Sequence, residues 1–279
     1  MANNIQEGEY SSDNRGNYLK LLKKEPVYGP ITSRRLGLSL GVNPIQGGFA
    51  CNWSCVYCQY GIDDLDSQVN GSKKIRFTEL GEIDAALRKR LGSNEHFDSI
   101  TICGPTEPTM HPRFNELAGL VVSRRNEYRP RTPVTLFTNA HKLDGLNLYS
   151  LDWVFMKLDA GNEETFQRFN RPKTGTLAEV VENIKGANVR KKVVQSMFVG
   201  GRDGNLNEKN VGDYLGLLRD VGPDEVHLYS LLYAPLPNSD IRPVDGSTLD
   251  ALAERVRDGA GCDALVFNNP VQEGELFRF

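Results

Sequence analysis

Strand-like and helix-like segments alternate along most of this chain, and this alternation limits the folds that it can adopt. Short runs rich in β-branched and aromatic residues, bounded by Gly, Pro, Asn or Asp, predict strands at 97–103, 133–139, 151–160, 192–200, 225–232 and 264–267. Apolar residues at three- and four-residue spacing predict helices at 78–91, 111–125, 178–189, 210–221 and 248–259, with Thr78 and Asn207 as candidate helix starts.

Alternating β and α units predict parallel strands that are joined by right-handed crossovers. About six such units indicate an α/β fold, a partial (β/α)6 barrel. In such folds the chemistry lies at the carboxyl ends of the strands. We therefore expect the functional residues in the loops that directly follow the strands.

The chain of 279 residues has a length that suits one such barrel. Residues 1–26 are polar and rich in Asn, Ser and Gly, and are interpreted as an N-terminal tail. No linker or internal repeat divides the remainder, so residues 27–279 are expected to form one domain.

The charge and the apolar pattern restrict the possible partners. A formal net charge of −3 does not favour a nucleic-acid partner, although a local basic stripe would still allow one. No apolar run approaches the roughly 20 residues of a membrane span, and the N-terminal segment lacks the pattern of a signal peptide. We expect a cytoplasmic protein without a membrane partner.

Three of the five cysteines, Cys51, Cys55 and Cys58, lie within eight residues. An odd cysteine count without a secretory signal argues against a disulfide framework. Three thiolates around a [4Fe–4S] cube would leave one iron without a protein ligand, which gives a second molecule a position to bind. The alternatives are a structural zinc site, with His111 or Cys103 as a conceivable fourth ligand, and three buried packing cysteines.

The cysteine loop resembles the signature of the radical S-adenosylmethionine (SAM) superfamily, with Tyr57 just before the third cysteine. Within it, the chain is similar to the branch of wyosine-synthase-like Fe–S oxidoreductases over residues 27–240. Further matching segments, in the family's order, are 29–44, 104–112, 136–139, 158–160 and 169–172.

This resemblance implies a [4Fe–4S] cluster on Cys51, Cys55 and Cys58, whose open iron chelates the methionine part of SAM. One electron would cleave SAM to methionine and a 5′-deoxyadenosyl radical, which abstracts hydrogen from a substrate. The backbone at Tyr57 would contact the adenine. The segment Gly104 to Glu107 would hold the methionine amine, although the usual Gly-Gly-Glu is altered here by Thr106.

The strand at 151–160 supports a polar pocket independently of the resemblance. Phe155, Lys157 and Asp159 alternate onto one face of it. Burial of two charges inside a barrel is costly unless they form an ion pair or contact a polar ligand. A zwitterionic cofactor with ribose hydroxyls would be such a ligand. The alternative is a simple Lys–Asp pair at an exposed strand end. Further candidate cofactor contacts, at the ends of neighbouring strands, are Thr138, Asn139 and, more weakly, Ser196.

Two other features have two interpretations each. Arg34 and Arg35 precede the cysteine loop, and they could bind a phosphate or carboxylate or could close the first strand of the barrel. Cys103 ends a strand and is interpreted as a small buried apolar residue in preference to a reactive thiol.

The predicted function is reductive cleavage of SAM followed by hydrogen abstraction from a small-molecule or peptide substrate. The partners would be that substrate and an electron donor such as flavodoxin or ferredoxin. One alternative is modification of a tRNA base, but archaeal-type wyosine synthases have further cysteines ahead of the signature loop, and here none precedes Cys51. A second alternative is a non-catalytic Fe–S electron carrier, which normally has four cysteines per cluster.

Overall fold

The computed structural model describes residues 25–47, 50–58, 75–231 and 239–267. Within them an eight-stranded sheet has the order β1-β2-β5-β6-β7-β8-β9-β10, and β3 pairs with β4 in a separate two-stranded sheet. The strands are β1 (Val27–Ser33), β2 (Gly37–Val42), β3 (Ile45–Gly47), β4 (Ile75–Phe77), β5 (Ser99–Ile102), β6 (Val134–Thr138), β7 (Trp153–Lys157), β8 (Lys192–Met197), β9 (Glu225–Tyr229) and β10 (Asp263–Val266).

Neighbouring strands from β2 to β10 in the large sheet pair in parallel, and β1 pairs antiparallel with β2 at one edge. The sheet curls but does not close, because β1 and β10 remain its two edges. The predicted partial (β/α) barrel is confirmed. It has one parallel strand more than the six units predicted.

Helices cover the outer face of the sheet. They are α1 (Leu80–Leu91), α2 (Phe114–Tyr128), α3 (Leu177–Gly186), α4 (Glu208–Val221) and α5 (Gly246–Ala260). Asn207 caps α4 as predicted, since its side chain accepts from the amide of Asn210. Thr78 does not cap α1, because its hydroxyl donates to the carbonyl of Asn43 instead.

The β1–β2 hairpin was not predicted, because glycines and a proline interrupt the alternation that identifies a strand. Gly41 has a specific purpose here. A Cβ at this position would lie 2.2 Å from the ring of Tyr28, which packs directly over it. The Tyr28 hydroxyl in turn lies 3.0 Å from Cys103 Sγ. Burial raises the pKa of Cys103 to about 11, as suits a packing thiol.

The turn of this hairpin, at Arg34 and Arg35, reaches across the barrel. Arg34 donates to the carbonyls of Ser230 and Phe267, which follow β9 and β10. The first strand is thus linked to the far edge of the sheet by side-chain contacts. Of the two interpretations of Arg34, closure of the barrel is the one that these contacts match.

Side chains inside the barrel form successive layers. Phe155, Val193 and Leu36 form a small apolar cluster near the amino ends of the strands. Lys157 pairs in register with Gln195, and Gln195 with His227, one layer further along. None of the helices within the described ranges is long and apolar enough to cross a membrane.

The buried His227 is expected to make stability depend on pH. Its side chain is 0% exposed, and its Nε2 lies 3.0 Å from Glu225 Oε2. Burial lowers the pKa of His227 to about 4. The unfolded chain takes up this proton near pH 6.5, so the stabilisation is fully present above that pH and is lost as the pH falls towards 4. The loss amounts to roughly 3 kcal/mol at most.

His227→Gln keeps an N–H donor for Glu225 but does not titrate, so its free energy of unfolding is expected to fall less than that of the wild type between pH 6.5 and 4. Urea unfolding at a series of pH values measures this. His96→Gln, at an exposed histidine, is the matched control and should follow the wild type. Parallel curves for His227→Gln and wild type would contradict the prediction.

Candidate functional site

The cysteine loop lies between β3 and β4, at the carboxyl end of β2. It is held by backbone contacts from residues 169–173. The amide of Val56 donates to the carbonyl of Phe169 (2.9 Å), and the amide of Ser54 donates to the carbonyl of Arg171 (3.0 Å). Trp53 forms a bridge with Pro172 and packs edge-on against Phe166, with ring centroids 5.1 Å apart.

The segment that holds this loop is a short helix, Glu163–Thr165, which continues into a π-helical turn, Phe166–Asn170. It ends at Arg171, which has a φ of 49°. A left-handed residue turns the chain sharply and leaves carbonyls available to a neighbouring segment. The sequence segment 169–172 was noted as part of the resemblance, but this anchoring role was not predicted.

The three thiols lie close enough to affect one another electrostatically. Burial raises the pKa of Cys51, and Glu107, Cys55 and Cys58 raise it further. Burial likewise raises the pKa of Cys55 to about 12, with added effects of Asp159 and Cys58. Thiols with raised pKa values, such as those of Cys51 and Cys55, lose their protons when a metal centre supplies the compensating positive charge.

Amide groups point at two of the sulfurs. Asn139 Nδ2 lies 3.7 Å from Cys51 Sγ, and Asn170 Nδ2 lies 3.5 Å from Cys55 Sγ. N–H donors of this kind stabilise thiolates and adjust the potential of Fe–S centres. Asn170 was not predicted as a site residue, and its place in the matching segment 169–172 was the available signal.

Glu107 connects the cysteine loop to the end of β6. Its amide donates to the carbonyl of Ala50 (2.9 Å). Its carboxylate accepts from the hydroxyls of Thr109 and Thr138 (2.7 Å each) and from the amide of Asn139 (2.7 Å). The carboxylate is 4% exposed, and burial raises the pKa of Glu107. Glu107, Thr138 and Asn139, three of the predicted contacts, are thus brought together.

The segment before Glu107 is tightly packed. A Cβ at Gly104 would lie 2.5 Å from Asn43 Oδ1, so this glycine allows the close approach of the loop after β2. Thr106, which replaces the usual glycine, has a buried hydroxyl that finds no hydrogen-bond partner within the described part of the chain. An orphaned hydroxyl beside Glu107 is what a site for a polar ligand would provide.

Phe155, Lys157 and Asp159 all face the barrel interior. Asp159 accepts from the Tyr57 hydroxyl (2.5 Å), from Asn170 Nδ2 (2.8 Å) and from the amide of Met197 (2.8 Å), and pairs with Lys157 Nζ at 3.2 Å. It is 1% exposed, so the alternative of an exposed strand-end pair does not describe it. The aspartate joins the cysteine loop, through Tyr57, to the end of β7.

Ser196 lies apart from these residues. Its hydroxyl contacts the Tyr214 hydroxyl on α4 at 2.7 Å and also donates to the carbonyl of Leu158. Its side chain therefore faces the helix layer, while the neighbouring Gln195 faces the interior. The structure does not bring Ser196 to the predicted contacts, and it plays no part in the site described here.

A comparison with known families decides between the remaining interpretations. The model of the family described as the radical SAM superfamily matches residues 45–215, which is more than half of the chain. The chain belongs to the radical SAM superfamily. It is therefore an enzyme, and its superfamily uses a [4Fe–4S] cluster and SAM.

Curated relatives of this radical SAM protein are moderately similar in sequence. UPF0026 protein slr1464 of Synechocystis sp. is 29% identical over 260 residues, which cover 84% of this chain and 93% of the relative. GTPase Obg of Brachyspira hyodysenteriae is 28% identical over 213 residues, 74% of this chain. The match covers only 30% of that protein's length.

Solved structures share the fold at low identity. A structure of TYW1 with a lysine-pyruvate adduct has a TM-score of 0.57 at 12% identity, covering 79% of this chain and 73% of that one. The enzyme anSMEcpe with bound AdoMet has a TM-score of 0.57 at 14% identity, covering 81% and 61%. Streptococcus suis SuiB bound to a precursor peptide has a TM-score of 0.56 at 12% identity, covering 95% and 56%.

The residues of this radical SAM chain fit the cofactors of its superfamily. Three partly buried thiols affect one another's charge, and two amides point at their sulfurs. The Thr106 hydroxyl finds no hydrogen-bond partner among the described residues. No three His, Cys, Asp or Glu side chains in the described ranges converge closely enough to hold a single metal ion. The same finding applies to Cys51, Cys55 and Cys58, so it does not distinguish a zinc site from an iron–sulfur cluster.

Proposed function

We propose that this chain cleaves SAM reductively at a [4Fe–4S] cluster bound by Cys51, Cys55 and Cys58, and abstracts hydrogen from a small-molecule or peptide substrate. The observation that carries the proposal is the partly buried loop with three cysteines within a matched radical SAM domain. When bound, the two cofactors supply one-electron cleavage of a carbon–sulfur bond and a 5′-deoxyadenosyl radical that takes a hydrogen atom from the substrate.

The protein's own residues have three roles in this proposal. Asn139 and Asn170 donate N–H groups to the sulfurs of Cys51 and Cys55. Glu107 would accept from the methionine amine of SAM through Oε2, which accepts from the Asn139 amide, since Oε1 already accepts three hydrogen bonds from Thr109 and Thr138. Thr106 would offer its buried hydroxyl from the same segment, beside Gly104.

The interior charges and the cysteine loop would position the rest of SAM. The backbone at Tyr57 is proposed to contact the adenine, and the Tyr57 ring is fixed by its hydroxyl bond to Asp159. Lys157 and Asp159 would lie along the ribose and carboxylate. Because Asp159 already accepts from three residues and pairs with Lys157, its role would be to orient Tyr57 and Lys157 as much as to bind SAM directly.

The partners in this proposal are an electron donor, such as flavodoxin or ferredoxin, and the substrate. A precursor peptide bound to SuiB, one of the structures with this fold, supports a peptide as one possible substrate class. A cytoplasmic location stays a prediction. Modification of a tRNA base is the alternative, and the iron content of the reconstituted protein distinguishes the two.

Anaerobic reconstitution tests the proposal. With iron and sulfide, the wild type is expected to bind about four of each per chain, the content of one cube. Addition of SAM and dithionite should then release 5′-deoxyadenosine, which mass spectrometry quantifies. Cys103→Ala and Cys262→Ala are the matched controls and should change neither result, because Cys103 contacts Tyr28 and Cys262 contacts the carbonyl of Ala260.

Two results would contradict the proposal. A content of about eight irons per chain would indicate a second cluster and favour the wyosine-type reaction. A reconstituted cluster that releases no 5′-deoxyadenosine from SAM under reduction would favour the electron-carrier alternative.

A further inference from the structure

Arg35 enters the barrel from the turn between β1 and β2 and is almost completely buried, with 6% of its surface exposed. Its Nη1 donates to Gln195 Oε1 on β8 at 2.9 Å. The guanidinium lies over the ring of Tyr229, 4.3 Å from the centroid, and near that of Phe137 at 5.5 Å. The charge of this arginine is therefore inside the barrel and not at its rim.

No carboxylate pairs with this arginine within the described residues. Its buried Nε has no hydrogen-bond acceptor there. Burial lowers the pKa of Arg35, whereas Tyr229 and, to a smaller extent, the carboxylate of Asp159 act in the opposite direction. Asp159 already pairs with Lys157 and accepts from Tyr57 and Asn170. A buried cation without an anionic partner of its own is costly unless an anion joins it.

Lys157 adds a second positive charge to the same space. Its Nζ lies 4.9 Å from the centroid of the Tyr229 ring and donates to the Tyr229 hydroxyl. Arg35 and Lys157 thus both contact Tyr229, and one carboxylate, Asp159, serves both. Arg34 also lies over this ring, 5.0 Å from its centroid, so the described interior around Tyr229 has more positive than negative charge, which attracts an anion.

The position of Arg35 is one layer below Asp159 in the barrel. Gln195, which binds Arg35, pairs in register with Lys157, and Asp159 lies two residues beyond Lys157 in the direction of the cysteine loop. Two residues of strand correspond to about 7 Å. The guanidinium therefore lies at the level of Lys157, one layer further from the cysteine loop than Asp159.

We propose that Arg35 binds an anionic group of the substrate, a carboxylate or a phosphate, inside the barrel beneath the cofactor. The inference rests on the function proposed above, because that function places a substrate in this space. A guanidinium presents several N–H donors in a planar fork, a geometry that matches either anion. Lys157, on the other side of Tyr229, would strengthen the attraction.

The test uses the reconstituted protein with SAM present, and inorganic phosphate and acetate as separate probes. Isothermal titration should show saturable binding of at least one probe to the wild type. Arg35→Gln should weaken that binding by about tenfold or more, as expected for the loss of a charged hydrogen-bond partner. Arg35→Lys, which keeps the charge, should retain much of it. Arg202→Gln, at a side chain that is 80% exposed, is the matched control and should bind like the wild type.

The carboxylate that Arg35 binds could belong to the substrate or to SAM itself. Affinity for SAM, measured on the same variants, distinguishes the two. We expect Arg35→Gln to bind SAM as the wild type does. A parallel loss of SAM affinity would overturn the inference, because Arg35 would then serve the cofactor. Wild-type protein that binds neither probe would overturn it as well, and Arg35 would then be a structural link across the barrel.

The proposed function is judged by different readouts. Cluster absorbance and release of 5′-deoxyadenosine test it, and Arg202→Gln should retain both. A wild type that binds phosphate through Arg35 but never cleaves SAM would contradict the proposed function and leave the anion site in place. A wild type that cleaves SAM but shows no difference between Arg35→Gln and Arg202→Gln would contradict the anion site alone.

Discussion

Cys55→Ala is expected to abolish iron binding and SAM cleavage together. Cys55 is one of three proposed ligands, and each thiolate in a three-cysteine set is indispensable to the cube. The Cys55 sulfur also accepts a hydrogen bond from Asn170 Nδ2. The substitution therefore removes both a proposed cluster ligand and the acceptor of the Asn170 amide. Absorbance of the reconstituted protein and the yield of 5′-deoxyadenosine measure the two losses, and we expect both to fall below detection.

The same outcome is expected for Cys51→Ala and Cys58→Ala. Cys262→Ala is the matched control, since Cys262 is also buried but lies beyond α5, far along the chain from the cysteine loop. Circular dichroism of each variant checks that the fold is retained. A Cys55→Ala protein that kept its iron and still cleaved SAM would show that another residue completes the ligand set.

Asp159→Asn is expected to lower the free energy of unfolding by about 3 kcal/mol or more, because it leaves the charge of Lys157 buried without a counter-ion. The asparagine can still accept from the amide of Met197, so most of the loss should come from the ion pair. Chemical unfolding at neutral pH measures the change. Asp220→Asn, in an exposed pair with Lys185, is the control and should cost less than about 1 kcal/mol.

A second substitution identifies the cause. In the double variant Lys157→Met with Asp159→Asn no unpaired charge remains, and we expect most of the lost stability to return. A double variant as unstable as Asp159→Asn alone would contradict this explanation. The stabilisation would then come from the hydrogen bonds of Asp159 to Tyr57 and Asn170.

The sequence pattern predicted the elements that have regular periodicity. Each predicted strand and helix has a counterpart in the structure, and α4 begins one residue after the predicted cap, Asn207. The pattern did not predict the β1–β2 hairpin, whose glycines serve close packing, such as that of Tyr28 over Gly41. The alternation of residue types along one strand does not show that an aromatic ring of the neighbouring strand packs over one of its glycines.

The face of a strand is harder to predict when both faces are buried. For β7, the charges of Lys157 and Asp159 identified the inner face correctly. For β8, with the sequence KVVQSM, every residue after the first is buried, so hydrophobicity does not distinguish the faces. Gln195 faces the interior, and Ser196 faces the ring of Tyr214 on α4. Only the register between strands settles such a case.

The sequence pattern did not predict which residues contact the cysteine loop. Asn170 contacts Cys55 across 115 positions of sequence. Asn139 likewise reaches Cys51 across 88 positions. Contacts of this kind depend on how the π-helical turn and the end of β6 meet the loop. The sequence indicated which segments matter but not which atoms they bring together.

The unclosed sheet has a mechanical consequence. In a closed barrel, widening the interior requires breaking a row of main-chain hydrogen bonds between two strands. Here the described contacts across the seam include the side-chain bonds of Arg34 to two carbonyls that follow β9 and β10. Side-chain bonds exchange partners with little cost to the sheet. Lateral opening at this seam would displace the adjacent Arg35 as well, so the width of the entrance and the position of the interior positive charge are coupled.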